Sequence, residues 1–292
     1  MKDDYLGSIQ IMSKNEAGEF NCYVLSNQDN IETFMAAYNL DVTKRNQIIR
    51  LSSPMSDEQQ LLLAFRQFLD QHNEFPSTEE MAQYARDCIN RIKGYDVDYI
   101  ASHSDNVILE WVDAEYKLFG ELEEKIYRPI YCRPFANCQE LMAFSNQILN
   151  RRKSRAGKSL EHHLSKIFIS ARIRFEEQQV TEENKRPDFI FPDIASYHAF
   201  TFPADKLTML GAKTTCKDRW RQVLNEANRI ENKHLFTLQP GVSKNQMAEM
   251  KAEHLTLVVP ASNMSLFHPD YRDIVMNLDS FINMVREREG LI

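Results

Sequence analysis

The reading turns on two stretches, Arg186-Pro187-Asp188-Phe189-Ile190-Phe191 and Leu207-Thr208-Met209-Leu210-Gly211-Ala212-Lys213. Each contains a short apolar run of the length expected for a buried strand, bounded by proline or polar residues. Asp188 opens the first run and Lys213 closes the second. If the two strands are neighbours, they present a carboxylate and an ammonium side by side at one edge of a sheet. A carboxylate there can hold a hard divalent ion through oxygen. A lysine there can stabilise charge on a phosphate or position a water. Acid plus lysine is the minimum for metal-assisted phosphodiester hydrolysis. The plainer alternative is a turn acid and a surface lysine.

Working outward, residues 216–231 predict an amphipathic helix with Trp220, Val223, Leu224, Ala227 and Ile230 on its core stripe. Arg219, Gln222 and Glu226 share a second, polar face, which brings Glu226 within reach as a second carboxylate. The trio Lys217-Asp218-Arg219 opens this helix with two donors flanking an acceptor. That set matches the guanine and cytosine edges of the DNA major groove, and equally a solvated charged first turn. Further on, strands at 234–238 and 255–260 alternate with helices at 244–252 and 273–287. Strands alternating with helices predict an α/β fold with a mixed central sheet flanked by helices.

Upstream, residues 105–127 form a long helical stripe, Pro129 and Pro134 break the chain, and 141–149 is helical again. The basic run Arg151-Arg152-Lys153-Ser154-Arg155-Ala156-Gly157-Lys158 then reads as a connector into a helix at 159–171 whose first turn carries Glu161. Such a run suits phosphates or base edges, or an ordinary surface loop. Residues 5–26 read as a hairpin around a turn with Gly18, and 56–93 as two capped helices. A looser stretch at 94–104 suggests a division into a largely helical N-terminal portion, 1–104, and a second portion, 105–292.

The composition sets outer limits. The 292 residues are 43% hydrophobic and 26% charged, enough for a full core and against wholesale disorder. A net charge of −7 argues against coating nucleic acid by bulk charge but permits a local basic groove. The five cysteines are scattered with no C-x-x-C pair, so a disulfide framework and a zinc finger are not expected. Neither a signal peptide nor a membrane span is expected, which fits a reducing cytoplasm with no membrane partner.

The blocks 148–161, 186–189 and 213–222, in that order, resemble the catalytic-domain family of the EcoRII, PspGI and SsoII-like type II restriction endonucleases, within the PD-(D/E)XK nuclease fold. The likeness covers about residues 105–290, which implies that 105–292 is the catalytic domain and leaves 1–104 for DNA contact, dimerisation or both. It implies Mg²⁺-dependent cleavage of double-stranded DNA by a homodimer, at a palindrome with a CC…GG core, leaving 5′-phosphate ends, with no organic cofactor. Asp188 would be the first metal ligand and Lys213 the catalytic lysine. The fold signature usually carries an acid two residues before that lysine. Here Gly211 stands there, and the family pattern supplies the acid from the next helix, at Glu226. Glu161 matches a further acid at the site. Lys217, Asp218 and Arg219 match the trio that reads the outer C·G pairs, Arg152 and Arg155 the basic block that contacts DNA, and Tyr197 a tyrosine near the site. EcoRII-type enzymes also carry a β-barrel effector domain, for which the first hundred residues are too helical. Some relatives flip the central base pair; Tyr5, Tyr23, Phe34, Tyr38, Phe65 or Phe68 would be candidates to line such a pocket. A repair or structure-selective nuclease of the same fold, and a non-catalytic DNA-binding protein, are the competing readings.

Overall fold

The computed structural model describes residues 7–15, 18–38, 40, 55–216 and 219–291. Tyr5, Lys217 and Asp218 lie outside them. Packing divides the chain into two compact units, 1–73 and 74–292. The boundary therefore lies earlier than the compositional break at 94–104. The helix before that break, α3 (Thr78–Lys93), is tied to the second unit: Trp111 Nε1 donates to Asn90 Oδ1 at 2.9 Å.

In the first unit, β1 (Ile9–Lys14) and β2 (Phe20–Leu25) form the expected antiparallel hairpin, with Ile9 opposite Leu25 and Lys14 opposite Phe20. Gly18 takes the positive φ of +85° that its turn requires. Helix α1 (Gln28–Ala37), unforeseen from sequence, starts at Asn27, whose side chain accepts from the Asp29 and Asn30 N–H groups. Helix α2 (Asp57–Gln71) begins with a reciprocal capping box between Ser56 and Gln59.

The second unit is built on a six-stranded mixed sheet, in the order β3 (Glu176–Glu177), β4 (Phe189–Phe191), β5 (Thr208–Ala212), β6 (Lys233–Phe236), β7 (Leu255–Val259), β8 (Val275–Asn277). The first three pair antiparallel and the last four parallel. Side-chain alternation sorts the two faces. Phe189 and Phe191 meet Phe168 edge-on at 5.2 and 5.3 Å, and Phe191 meets Phe281 at 5.7 Å. Phe168 and Phe281 come from α6 (Cys138–Ser170) and α10 (Leu278–Glu289). Ile190 points the other way, into a cluster with Trp220, Val223, Leu235, Met247, Met250, Leu257 and Val259. That opposite face is covered by α8 (Trp220–Leu224) and α9 (Lys244–Ala252). Two small elements, α4 (Val97–Ser102) and α7 (Ile194–His198), complete the unit with α5 (Ser104–Tyr131).

Three expectations are corrected. First, α5 continues through Pro129 to Tyr131 instead of ending before it. Second, the basic run is no connector: α6 passes through it unbroken for 33 residues. Arginine, lysine and alanine are good helix formers, and a lone glycine is tolerated at about 1 kcal/mol. The neighbouring α5 fixes the run through Arg152 to Glu123 and Arg155 to Glu115. Third, the helix expected over 216–231 shrinks to Trp220–Leu224. Asn225 ends it, and Ala227 follows with φ +52°. Lys233 then takes the carbonyls of Glu226, Ala227 and Ile230. Among the described residues, no helix is long and apolar enough to cross a membrane.

Candidate active site

Strand pairing does what the spacing promised. Phe189 lies opposite Leu210, so Asp188, just before β4, meets Lys213, just after β5. Lys213 Nζ donates to Asp188 Oδ2 at 2.7 Å, and the Ala212 N–H donates to the same oxygen at 2.7 Å. Asp188 Oδ1 accepts from Gln178 Nε2 at 2.8 Å. The pair is largely removed from solvent, the side chains being 7% and 16% exposed, so the ion pair acts at higher strength than in water.

Gly211, at the position of the usual acid, has no room for one. A Cβ there would lie 2.8 Å from Val223 Cγ2 and 3.3 Å from Cγ1. Strand β5 and helix α8 pack backbone to side chain at this point, so a carboxylate must reach the site from elsewhere. Glu226 lies in the turn after α8 rather than on a helical face shared with Arg219, near enough to Asp188 and Lys213 to feel their charges. Burial pushes its carboxyl up to about 7, with the negative charge of Asp188 adding to the rise and Lys213 and Lys233 opposing it. Its Oε2 is buried and has no hydrogen-bond partner among the described residues. An unsatisfied buried carboxylate oxygen beside a second carboxylate calls for a proton or a cation.

The turn that carries Glu226 is held by Lys233, Glu182 and Arg229, which the sequence did not single out, together with Tyr197, which it did. Lys233 Nζ donates to three of its carbonyls, at 2.6 Å to Glu226, 3.0 Å to Ala227 and 2.9 Å to Ile230. Glu182 accepts from the Asn228 N–H at 3.1 Å and from the Tyr197 hydroxyl. Tyr197 accepts in turn from the Arg229 N–H at 3.2 Å. Tyr197 is thus buried against this turn, and its hydroxyl pKa is raised by burial and by Glu182. A lysine within a buried strand was the one available signal for Lys233.

Glu161 is brought close to the site without joining a cage. Its Oε2 accepts from Lys158 Nζ at 3.1 Å and from Gln178 Nε2 at 3.4 Å, so one amide stands between it and Asp188. Among the described residues no group of three His, Cys, Asp or Glu side chains could hold a metal ion by itself. The three-carboxylate set expected from sequence is therefore not preformed. Two carboxylates still suit Mg²⁺, which commonly keeps several waters and binds through one or two carboxylates plus substrate phosphates.

The basic run is largely engaged internally. Arg155 is buried, donating to the Glu115 carbonyl at 3.0 Å and pairing with its carboxylate at 3.1 Å. Glu115 also accepts from Ser159 at 2.6 Å and lies 2.8 Å from His163 Nε2. Arg152 forms a forked contact with Glu123 while remaining more than half exposed. Arg155 thus faces the protein rather than a ligand, contrary to its expected role in contacting DNA. Arg219 is exposed at the start of α8.

A family model described as EcoRII C terminal matches residues 119–282, more than half of the chain. The chain belongs to the EcoRII C-terminal family. The type II restriction enzyme EcoRII of Escherichia coli is 44% identical over 214 residues, 73% of this chain and 51% of that protein. The type II restriction enzyme SsoII of Shigella sonnei is 28% identical over 132 residues, 42% of each. The chain thus spans about half the length of the curated relatives it matches. Metal-depleted Ecl18kI in complex with uncleaved DNA has the same fold, with a TM-score of 0.61 at 18% identity over 81% of this chain and 86% of that one. The restriction endonuclease PspGI–substrate DNA complex gives 0.59 at 14% identity, over 85% and 100%. The architecture of this EcoRII-family chain is that of the PD-(D/E)XK endonucleases, as expected from its strand and helix order.

Proposed function

We propose that this EcoRII-family chain is a type II restriction endonuclease, cleaving double-stranded DNA with Mg²⁺ at a palindrome with a CC…GG core. The observation that carries the reading is the Asp188–Lys213 pair at 2.7 Å, with the unpartnered oxygen of Glu226 in the same electrostatic neighbourhood. Asp188 and Glu226 would hold the ion, with Glu161 joining as an outer carboxylate. An ion held by these carboxylates would supply positive charge at the scissile phosphate and lower the pKa of an attacking water. Asp188 keeps its orientation through the Ala212 N–H and Lys213. Lys213, paired with Asp188, would stabilise the charge that develops on the phosphate oxygens. The products would carry 5′-phosphate and 3′-hydroxyl ends.

Two-fold DNA suits a homodimer, each copy taking one half-site. Lys217, Asp218 and Arg219 would read the outer C·G pairs, and Arg152 would contact phosphate. A flipped central base needs an apolar, partly polar-lined pocket. Tyr23, Phe34, Tyr38, Phe65 and Phe68 all belong to the first unit. In the second unit, a cavity of about 430 Å³ is lined by Phe75, Met81, Phe119, Gln147, Asn150 and Arg151. The cytoplasm of a bacterium or archaeon is the natural setting.

The test is digestion of plasmid and genomic DNA with Mg²⁺, followed by sequencing of the ends. Discrete double-strand fragments with a common CC…GG core support the proposal, together with loss of cleavage but retained DNA binding in Asp188→Ala and Lys213→Ala. Nicking or junction cleavage would favour a repair or structure-selective nuclease. Absence of cleavage on any duplex would favour a binding protein, and wild-type turnover by Lys213→Ala would remove that lysine from the mechanism.

A further inference from the structure

Strand β3 is the edge of the sheet and ends at Glu177. The next residue, Gln178, has φ +51°, in the left-handed region that glycine and asparagine tolerate and glutamine seldom enters. From there it grips the strand beside it twice. Its N–H donates to the Asp188 carbonyl at 3.2 Å, and its Nε2 donates to Asp188 Oδ1 at 2.8 Å. The same Nε2 lies 3.4 Å from Glu161 Oε2. Its own carbonyl accepts from Arg186 at 3.4 Å. An unfavourable backbone conformation persists where the surroundings over-determine it, and it marks positions where geometry matters more than local ease.

We infer that Gln178 is a positioning residue of the metal site, setting the plane of the Asp188 carboxylate and its separation from Glu161. Asp188 Oδ2 is held by Lys213 and the Ala212 N–H; Oδ1 has Gln178. The amide differs from Lys213 in one decisive respect: it is neutral. It orients the carboxylates without cancelling the negative charge that would attract a divalent ion. A lysine or arginine at this place would fix the same geometry and lower the affinity for a cation. A glycine would ease the backbone and abandon the geometry. This inference rests on the reading of Asp188 and Glu161 as carboxylates of a metal site.

The experiment is direct titration of the full chain with Mn²⁺, followed by the paramagnetic signal of the free ion, without substrate. Gln178→Gly relieves the positive φ while deleting the amide. Gln178→Asn keeps an amide and tolerates the backbone, but is one methylene too short to span both carboxylates. Both are expected to bind Mn²⁺ about tenfold more weakly, the usual scale for partners that orient metal ligands. Gln178→Gly is expected to melt at or above the temperature of the unchanged protein. Wild-type Mn²⁺ affinity in either variant overturns the inference, as does a melting temperature that falls together with affinity, the mark of a merely structural residue. Asp188→Asn separates the two levels. If it loses Mn²⁺ while the Gln178 variants do not, only the role of Gln178 fails. If it binds Mn²⁺ as well as the unchanged protein, the metal reading of the site fails with it.

Discussion

Replacing Glu226 with glutamine should stabilise the protein while removing the nuclease activity proposed for it. In the metal-free protein, burial and the Asp188 charge raise the Glu226 carboxyl from its ordinary 4.5 to about 7. A folded-state pKa above the unfolded value means that the folded protein binds the proton more tightly. Stability from this group is therefore fully present below about pH 4.5 and is lost as pH rises through about 7. The difference between the two values corresponds to about 3 kcal/mol at pH 8. Partial exposure of the residue reduces this to roughly 1–3 kcal/mol. Glu226→Gln keeps the shape and removes the ionisation. For a unit of this size, roughly 2–4 °C of melting temperature accompany each kcal/mol. Differential scanning calorimetry at pH 8 in a chelator should show the variant melting roughly 3–10 °C higher, a gap that closes on approaching pH 5. Millimolar Mg²⁺ or Mn²⁺ should raise the wild-type melting temperature and leave the variant's nearly unmoved, because binding to the folded state alone stabilises it. A gap that is absent, or that has the same size at pH 5 and pH 8, would refute the argument that Glu226 is a buried, uncompensated carboxylate.

Three further outcomes follow from the packing and the charges. Gly211→Ala should destabilise the protein by about 1–3 kcal/mol through the 2.8 Å approach to Val223, and Gly211→Ala with Val223→Ala should recover part of that loss in chemical denaturation. Glu115→Ala strands a buried Arg155 and should lower stability by about 3–5 kcal/mol in urea unfolding, more than Glu123→Ala, whose partner Arg152 reaches solvent. Arg219→Ala should weaken binding to specific duplex by about 1–3 kcal/mol while changing binding to random DNA less. Equal losses on both DNAs in a gel-shift series would make Arg219 a phosphate contact instead.

The elements legible in the sequence were those whose pattern is local. The runs around Phe189–Phe191 and Thr208–Ala212 announced strands, and the pairing of those strands made the Asp188–Lys213 contact nearly obligatory. The capped helices α2 and α3 were equally plain, because Ser56 and Ser77 precede acidic first turns. What stayed hidden depends on tertiary partners. The helical stripe from Trp220 to Ile230 is real as a core pattern, since all its apolar members except the partly buried Leu224 are buried, yet Lys233 and the left-handed Ala227 unwind its second half. Burial without helix cannot be distinguished from burial with helix by spacing alone. The basic run looked like a nucleic-acid surface because its counter-charges, Glu115 and Glu123, lie in a helix some thirty to forty residues earlier in the chain. Gln178 carries no charge and no motif, and only the sheet edge brings it to Asp188.

Helix α6 turns this arrangement into a rod of about 50 Å. One stretch of the rod is bolted to α5 at Arg152 and Arg155, and two turns further on it delivers Glu161. The angular setting of Glu161 relative to the bolts is therefore fixed by helical pitch. Adding or deleting a single residue between positions 155 and 161 would swing the carboxylate by about 100° about the axis while every side chain remained chemically the same. The spacer there is a dimension of the protein in its own right, set by the number of residues and not by their chemistry.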